Sequence, residues 1–338
     1  MKQQRTALVI TSIAGPNPVL KAFAKGCQRH GIGFILIGDV PSPSDFELPG
    51  CDFWSLERQR TMPFELAQLL PERHYGRKNL GYLQAMANGA RVIIESDDDN
   101  FPREGFWAPR QLEHQAEHLI GTGWVNVYRK FSNTNIWPRG FALEHLQAPP
   151  PPKGGSTQVE CAIQQGLADE DPDVDAIYRL TGTLPLEFDQ RTPVAIGKGC
   201  WCPFNSQNTT WFAQAFPLLY LPSYCSFRMT DIWRSFVALR VGWENGMDLL
   251  FHAPTVWQER NTHDLLKDFA DETIGYLNNG KICRRLEQLS LKGGMANIGQ
   301  DMLACYAEFV DMDLIGKAEM PLIEAWLRDQ ERLSPPIT

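Results

Sequence analysis

Three consecutive carboxylates, Asp97-Asp98-Asp99, stand two residues beyond the apolar run Val92-Ile93-Ile94. The β-branched residues of that run predict a short buried strand over residues 91–95. Carboxylates packed this closely repel one another unless a cation neutralises them. In an open α/β sheet, ligands collect beyond the carboxyl ends of the strands, which is where these acids fall. Alternation along an extended chain puts Asp97 and Asp99 on one side and Asp98 on the other. Two hard oxygen ligands on one side suit Mg²⁺ or Mn²⁺ shared with substrate phosphates. The alternative is a solvated acidic turn, with Phe101-Pro102 ending the strand. Taken alone, the triplet leaves both open.

The elements that must position these acids come in β-α order. Thr6 to Ile13 reads as a first strand, and Val19 to His30 as a helix with Leu20, Phe23, Ala24 and Cys27 on one face. Phe34 to Ile37 is a second strand, ending at Gly38-Asp39. That start implies a right-handed parallel unit. It lacks the Gly-x-Gly-x-x-Gly fingerprint, which argues against a dehydrogenase-type dinucleotide fold. Asp39 at the strand end either meets a nucleoside or caps its loop.

Residues 53–56 suggest a third strand, 64–70 and 78–90 helices, 111–120 a helix and 124–129 a strand. The four prolines from Pro149 to Pro152 mark a mobile loop. The acidic run from Asp169 to Asp175 has the composition of a solvated turn. Residues 192–208, rich in Gly, Cys, Trp, Pro and Asn, suit a pocket-lining loop. Residues 211–220 suggest a helix, 229–243 an amphipathic helix and 249–251 a last short strand followed by His252. The pattern is helical from His263 onward. The expected fold is α/β, a mixed, mostly parallel sheet flanked by helices. Residues 1–262 form its core, and 263–338 form a helical extension packed on it.

Hydrophobic residues make up 43% of the 338 and charged residues 21%, an ordinary globular balance. The net charge of −8 argues against a nucleic-acid partner. With no apolar run of about twenty residues, no transmembrane helix is expected. The opening residues lack the apolar core of a signal peptide, so a cytoplasmic protein with free thiols is expected.

Early strands, an acidic tip in mid-domain and a late histidine match the layout of a GT-A glycosyltransferase, a Rossmann-like fold that binds a nucleotide sugar. Longer strings sharpen this. They are Arg77-Lys78-Asn79-Leu80-Gly81-Tyr82-Leu83, Asn88-Gly89-Ala90, Trp137-Pro138-Arg139-Gly140, Ile163-Gln164-Gln165-Gly166-Leu167, Pro172-Asp173-Val174-Asp175 and Pro203-Phe204-Asn205-Ser206-Gln207-Asn208-Thr209. With the acid cluster, they closely resemble the STELLO family of glycosyltransferase-like proteins, over about residues 5 to 280. A more distant similarity joins the chain to the reversibly glycosylated polypeptides, which are UDP-arabinopyranose mutases. That similarity covers the three aspartates, Arg139-Gly140, Asp231 with Trp233, and Phe251-His252.

The resemblance implies a metal-dependent transferase using a nucleotide sugar, with UDP favoured, and Mn²⁺ or Mg²⁺ as cofactor. Asp97, Asp99 and His252 would hold the metal. Asp39, Arg77, Lys78, Asn79, Asp97, Asp98 and Asn205 would contact the donor, with Asn208 a further candidate for sugar hydroxyls. Asp231 would be the general base on an acceptor hydroxyl, and Arg139, the second catalytic residue, would face phosphate or sugar. The acceptor, whether glycan, lipid-linked or small molecule, is not specified, and a homo-oligomer stays open. Two rivals remain at this point: a UDP-sugar mutase, and a non-catalytic sugar-nucleotide-binding or assembly factor.

Overall fold

A computed structural model describes residues 5–149, 153–259 and 264–333. The proline run and the expected boundary at 262/263 therefore fall partly or wholly outside the described residues. In chain order the strands are β1 Thr6–Thr11, β2 Gly33–Ile37, β3 Asp52–Trp54, β4 Val92–Ser96, β5 Asn100–Pro102, β6 Glu113–Leu119, β7 Gly123–Trp124, β8 Gly155–Glu160, β9 Ile163–Glu170, β10 Val194–Ile196, β11 Cys200–Trp201, β12 Asn208–Phe212 and β13 Leu249–Gln258. The α-helices are α1 Pro18–His30, α2 Leu56–Arg60, α3 Glu65–Leu69, α4 Lys78–Ala87, α5 Tyr128–Phe131, α6 Ala176–Thr181, α7 Thr230–Trp243, α8 Leu265–Glu287, α9 Ile298–Asp311 and α10 Glu319–Leu333.

One mixed sheet runs β3-β2-β1-β4-β12-β9-β13-β10-β6-β8, with β5 paired to β13. Strands β1 to β4 are mutually parallel, and β9 pairs parallel with β13. Strand β12 lies antiparallel between β4 and β9. The chain leaves β1 toward β2 and β3, then returns to the other side of β1 to form β4. The crevice between β1 and β4 is thus a topological switch point, where ligands of open α/β sheets bind.

Period-2 alternation splits the strand residues between two layers. Leu8, Ile10, Leu36 and Ile94 pack on α1 with Phe23. Val9, Ile35, Ile37 and Ile93 face the larger core with α4, α7, α9 and α10. Helix α4 lies close on the sheet at Gly81, where a Cβ would stand 2.5 Å from a Val9 methyl carbon. Asn17 caps α1 through Leu20 N (2.8 Å), Pro18 takes its first position, and Gly31 in the left-handed region ends it. The mixed sheet with flanking and C-terminal helices is as expected, and all eight cysteines are free.

Several local expectations fail. Residues 113–119 form β6 rather than a helix, because only Ala116 and Leu119 are buried and the stretch pairs on both edges. Residues 124–129 give only the two-residue β7 and the start of α5. The expected helix at 211–220 is β12 followed by a 3₁₀ turn, in which Pro217 lacks the N–H an α-helix would need. The last strand continues for ten residues instead of ending before His252.

Helix α7 is buried along its whole length. It is joined to β4 by Arg234, whose Nη1 and Nη2 both donate to Glu95 at 2.9 Å. Trp211 Nε1 (2.8 Å) and the Tyr82 hydroxyl complete the shell of that carboxylate. Removing one partner of a buried pair strands the other charge, at about 3–5 kcal/mol. Arg234→Met should therefore lower the unfolding free energy by about that amount in denaturant titration. Adding Glu95→Gln should return part of the loss.

Candidate active site

The carboxyl ends of β1, β2, β4, β9 and β13 and the amino end of β12 meet along one edge. Two adjoining recesses open there. The first, about 400 Å³, lies between the ends of β1 and β2 and is lined by Thr11, Ser12, Asp39, Arg73, His74, Tyr75 and Arg77. The second, about 420 Å³, is lined by Asp97, Asp98, Asp99, Arg139, Asp173, Ser206, Gln207, Arg228, Asp231 and Gln258. Thr11, Ile13, Tyr75, Asp98 and Phe227 belong to both walls.

The acid triplet stands in the turn after β4 and not in the strand, so alternation does not sort its side chains. All three instead line the second recess. Each is held separately. Asp97 meets Lys78 Nζ at 3.3 Å, Asp98 accepts from the Ser12 hydroxyl, and Asp99 accepts from Gln258 Nε2 at 2.8 Å. The Asn17 amide donates to the Asp98 carbonyl (2.8 Å), tying the turn to the start of α1. Asp97 keeps 34% of its side-chain surface. Even so, desolvation, with Asp99 and Asp231 adding to it against Lys78, pushes its carboxyl up to about 7. Burial also raises Asp98, against the Ser12 hydroxyl.

Facing the triplet is a clamp. Arg139 donates Nε and Nη2 to Asp173 (2.7 and 2.9 Å), and Nη2 and Nη1 to Asp231 (2.9 and 3.1 Å). Its remaining N–H goes to the Arg228 carbonyl. All five donors are engaged within the protein, so Arg139 has none left for phosphate or sugar. It holds Asp231 and Asp173 in place. Although burial alone would raise Asp173, Arg139 holds its carboxyl below the usual range. Asp231 also accepts from Ile232 N (3.0 Å) and, more weakly, from Ser206 N (3.3 Å). It lies in the first turn of α7, where it takes the Ile232 N–H, while the N-cap position belongs to Met229.

The other expected donor contacts are also engaged internally. Lys78, fully buried, points under the acid turn to the Ser96 carbonyl at 2.8 Å. Arg77 lines the first recess but gives Nε to Gln59 (2.7 Å) and Nη1 to the Leu70 carbonyl (3.1 Å). Asn79 clips the backbone of Leu221 from both ends of its amide, at 2.9 Å each. Asn205 donates to Asp173 at 2.8 Å, and Asn208 to the Leu167 carbonyl at 3.0 Å. Asp39 lines the first recess while accepting from Arg73 N (2.9 Å) and His74 N (2.8 Å), so it braces the loop and borders the pocket at once.

His252 is not brought to the carboxylates. It pairs with Gly166 in mid-sheet, and β13 runs six residues further before Gln258 meets Asp99. Burial, with Arg110 and His114 nearby, pushes the imidazole down to about 4, and Nδ1 bonds the Ala253 carbonyl at 2.8 Å. Gln258, Ser206, Tyr75, Asp173 and Arg228 line the site without having been expected there. The acidic run 169–175 is also not a solvated face: Asp169, Asp173 and Asp175 are buried.

Fold and site define a mixed α/β domain with an acid turn at its switch point, opposed by a clamped aspartate. Residues 228–335 match the family model of the STELLO glycosyltransferases. The chain is 28% identical to the probable glycosyltransferase STELLO2 of Arabidopsis thaliana over 95% of its own length and 44% of that protein's. It is 27% identical to STELLO1 of the same plant, with the same shares covered. The resemblance read from the motifs therefore stands, and the chain spans about half the length of these relatives. Among solved structures it is similar to glucosyl-3-phosphoglycerate synthase from Mycobacterium tuberculosis in complex with phosphoglyceric acid. That match has 8% identity and a TM-score of 0.42, over 82% of this chain and 80% of that one. No described helix is long and apolar enough to cross a membrane.

The raised Asp97 gives a pH test. Its folded value, about 7, lies above the ordinary carboxylate range, so the native state binds the proton more tightly than the unfolded chain. Stability should fall as pH rises from about 4 through 7 and stay low above that. Asp97→Asn removes the burdened charge. Without ligand, its melting temperature should lack the fall that wild type shows between pH 4 and 7 in a melting series.

Proposed function

We propose that this chain is a glycosyltransferase that takes a sugar from a nucleotide sugar, UDP-linked by preference, with Mg²⁺ or Mn²⁺ on the donor diphosphate. One observation carries the reading: the acid turn at the switch point shares a recess with an aspartate clamped by arginine. The adjoining recess, bordered by Asp39 and Tyr75, has room for the nucleoside.

The residues fit a cation. Five carboxylates line the second recess against two guanidinium groups, and Arg139 is already shared between two of the five. Among the described residues no three His, Cys, Asp or Glu side chains converge as a closed ligand set. Asp97 and Asp99 would therefore bind the ion together with phosphate and water oxygens, the usual habit of Mg²⁺. Bound there, it would neutralise the departing diphosphate. Asp231 takes the proton of the acceptor hydroxyl as that oxygen attacks the anomeric carbon and the bond to the diphosphate breaks. The hydroxyl replaces the weak Ser206 contact on Oδ2, while Arg139 keeps the carboxylate in place.

Mn²⁺ and UDP together should stabilise the protein more than the sum of either alone, the joint gain reaching roughly 2.7 kcal/mol at 100 Kd of UDP in Mn²⁺. Asp99→Asn should lose the metal-dependent part in thermal-shift titration and keep its fold. A full synergistic shift in that variant would sink the metal assignment.

Asp231→Asn should bind UDP as wild type does and lose transfer by at least about 10²-fold. Turnover preserved in the variant would remove the base role. Ring-isomerised UDP-sugar recovered without acceptor would replace the transferase with a mutase.

A further inference from the structure

With Lys78, Arg77 and Arg139 engaged inside the protein, the second recess has one other basic lining residue, Arg228. We propose that Arg228 binds the phosphate of the donor farther from the nucleoside, and that Glu272 on α8 is its positioning residue. The inference rests on the donor reading above.

Arg228 lies on the 3₁₀ turn Phe227–Met229, three residues before Asp231. Its Nε and Nη2 both donate to a single oxygen of Glu272, at 2.9 and 2.6 Å. The other oxygen of Glu272 accepts from Ala176 N (2.8 Å) and the Tyr276 hydroxyl. Glu272 is fully buried, so its charge is fixed in place by these four bonds. The Nη1 group of Arg228 makes no hydrogen bond among the described residues, and the side chain is 14% exposed. One edge of the guanidinium is thus anchored, and the other is left for the recess it lines.

The platform under it is built by α8. Ser226 Oγ donates to the Asp271 carbonyl at 2.7 Å. Met229 packs so near Gly275 that a Cβ there would stand 2.3 Å from its sulfur. The Arg228 carbonyl accepts from Arg139, which couples the same turn to the Asp231 clamp. A guanidinium held this way presents a preset donor geometry to phosphate oxygens. Arg228 borders the acid recess and not the one beside Asp39, which places it at the distal phosphate.

Calorimetric titration with UMP and UDP, each in Mn²⁺, tests this. Wild type should bind UDP more tightly than UMP. Arg228→Gln should lose about tenfold or more in UDP affinity, the scale of one lost charge-assisted bond, with UMP little changed. Glu272→Gln keeps the shape of the anchor without its charge and should lower UDP affinity in the same selective way. Arg228→Lys keeps a charge beside Glu272 and guards against misfolding: it should melt as wild type does and still lose UDP affinity severalfold. UDP and UMP weakened equally, or neither weakened, overturns the assignment and leaves the donor reading standing. A wild-type protein that binds no nucleoside diphosphate overturns both.

Discussion

Arg139 is gripped by Asp173 and Asp231 through four of its hydrogen bonds and by the Arg228 carbonyl through the fifth. Three distant parts of the chain thereby become one wall: the loop that carries Arg139, the segment before α6, and the 3₁₀ turn running into α7. Neither aspartate would tolerate burial this near the other without the guanidinium between them. The planar fork meets two carboxylates at once, which an ammonium cannot do. Asp231 owes its orientation toward the acid turn to this constraint.

Charges below the site follow the same logic. Lys78 comes up from α4 under Asp97, and Arg234 comes up from α7 to Glu95, each without exposure to solvent. The cations of the helical layer therefore neutralise the acids that the strands deliver from below. On the open side, Asp98 accepts from the Ser12 hydroxyl and Asp99 from the Gln258 amide.

The parallel half of the sheet was legible because its strands are buried on both faces and read as unbroken apolar runs. The helix between β1 and β2 was equally plain, with Pro18 and Gly31 at its ends. The antiparallel half was not. Strand β6, with only two buried residues among seven, carries no periodic signal strong enough to separate it from a polar helix. The acid turn, Asp231 and Arg139 were found from residue type and motif. What the motifs did not carry was direction. A lysine opening a helix reads as a phosphate ligand or as a solvated cation, and Lys78 is neither, since its helix faces the sheet. The buried acids of 169–175 were hidden for the complementary reason: Arg139 and Arg103, which pair with Asp173 and Asp169, lie far away in the chain.

The C-terminal helices follow from the same acids. Glu319 on α10 accepts from Ser223 N and Tyr224 N and from the Tyr220 hydroxyl, and so fixes the loop that leads into the Phe227–Met229 turn. Asn279 on α8 accepts from Trp233 Nε1 at 3.0 Å and donates to the Gly140 carbonyl at 2.9 Å, touching the residue next to Arg139. Asp329 receives both N–H groups that open α3. Each contact is a buried polar side chain pairing a backbone, hydroxyl or indole group that would otherwise be left unsatisfied. The stretch matching the STELLO family model, residues 228–335, begins at Arg228 and runs through these helices. In physical terms that stretch is one unit: a turn and helix that present Arg228 and Asp231, and three further helices whose polar residues hold that turn and the clamp behind it at fixed distance from the acid cluster.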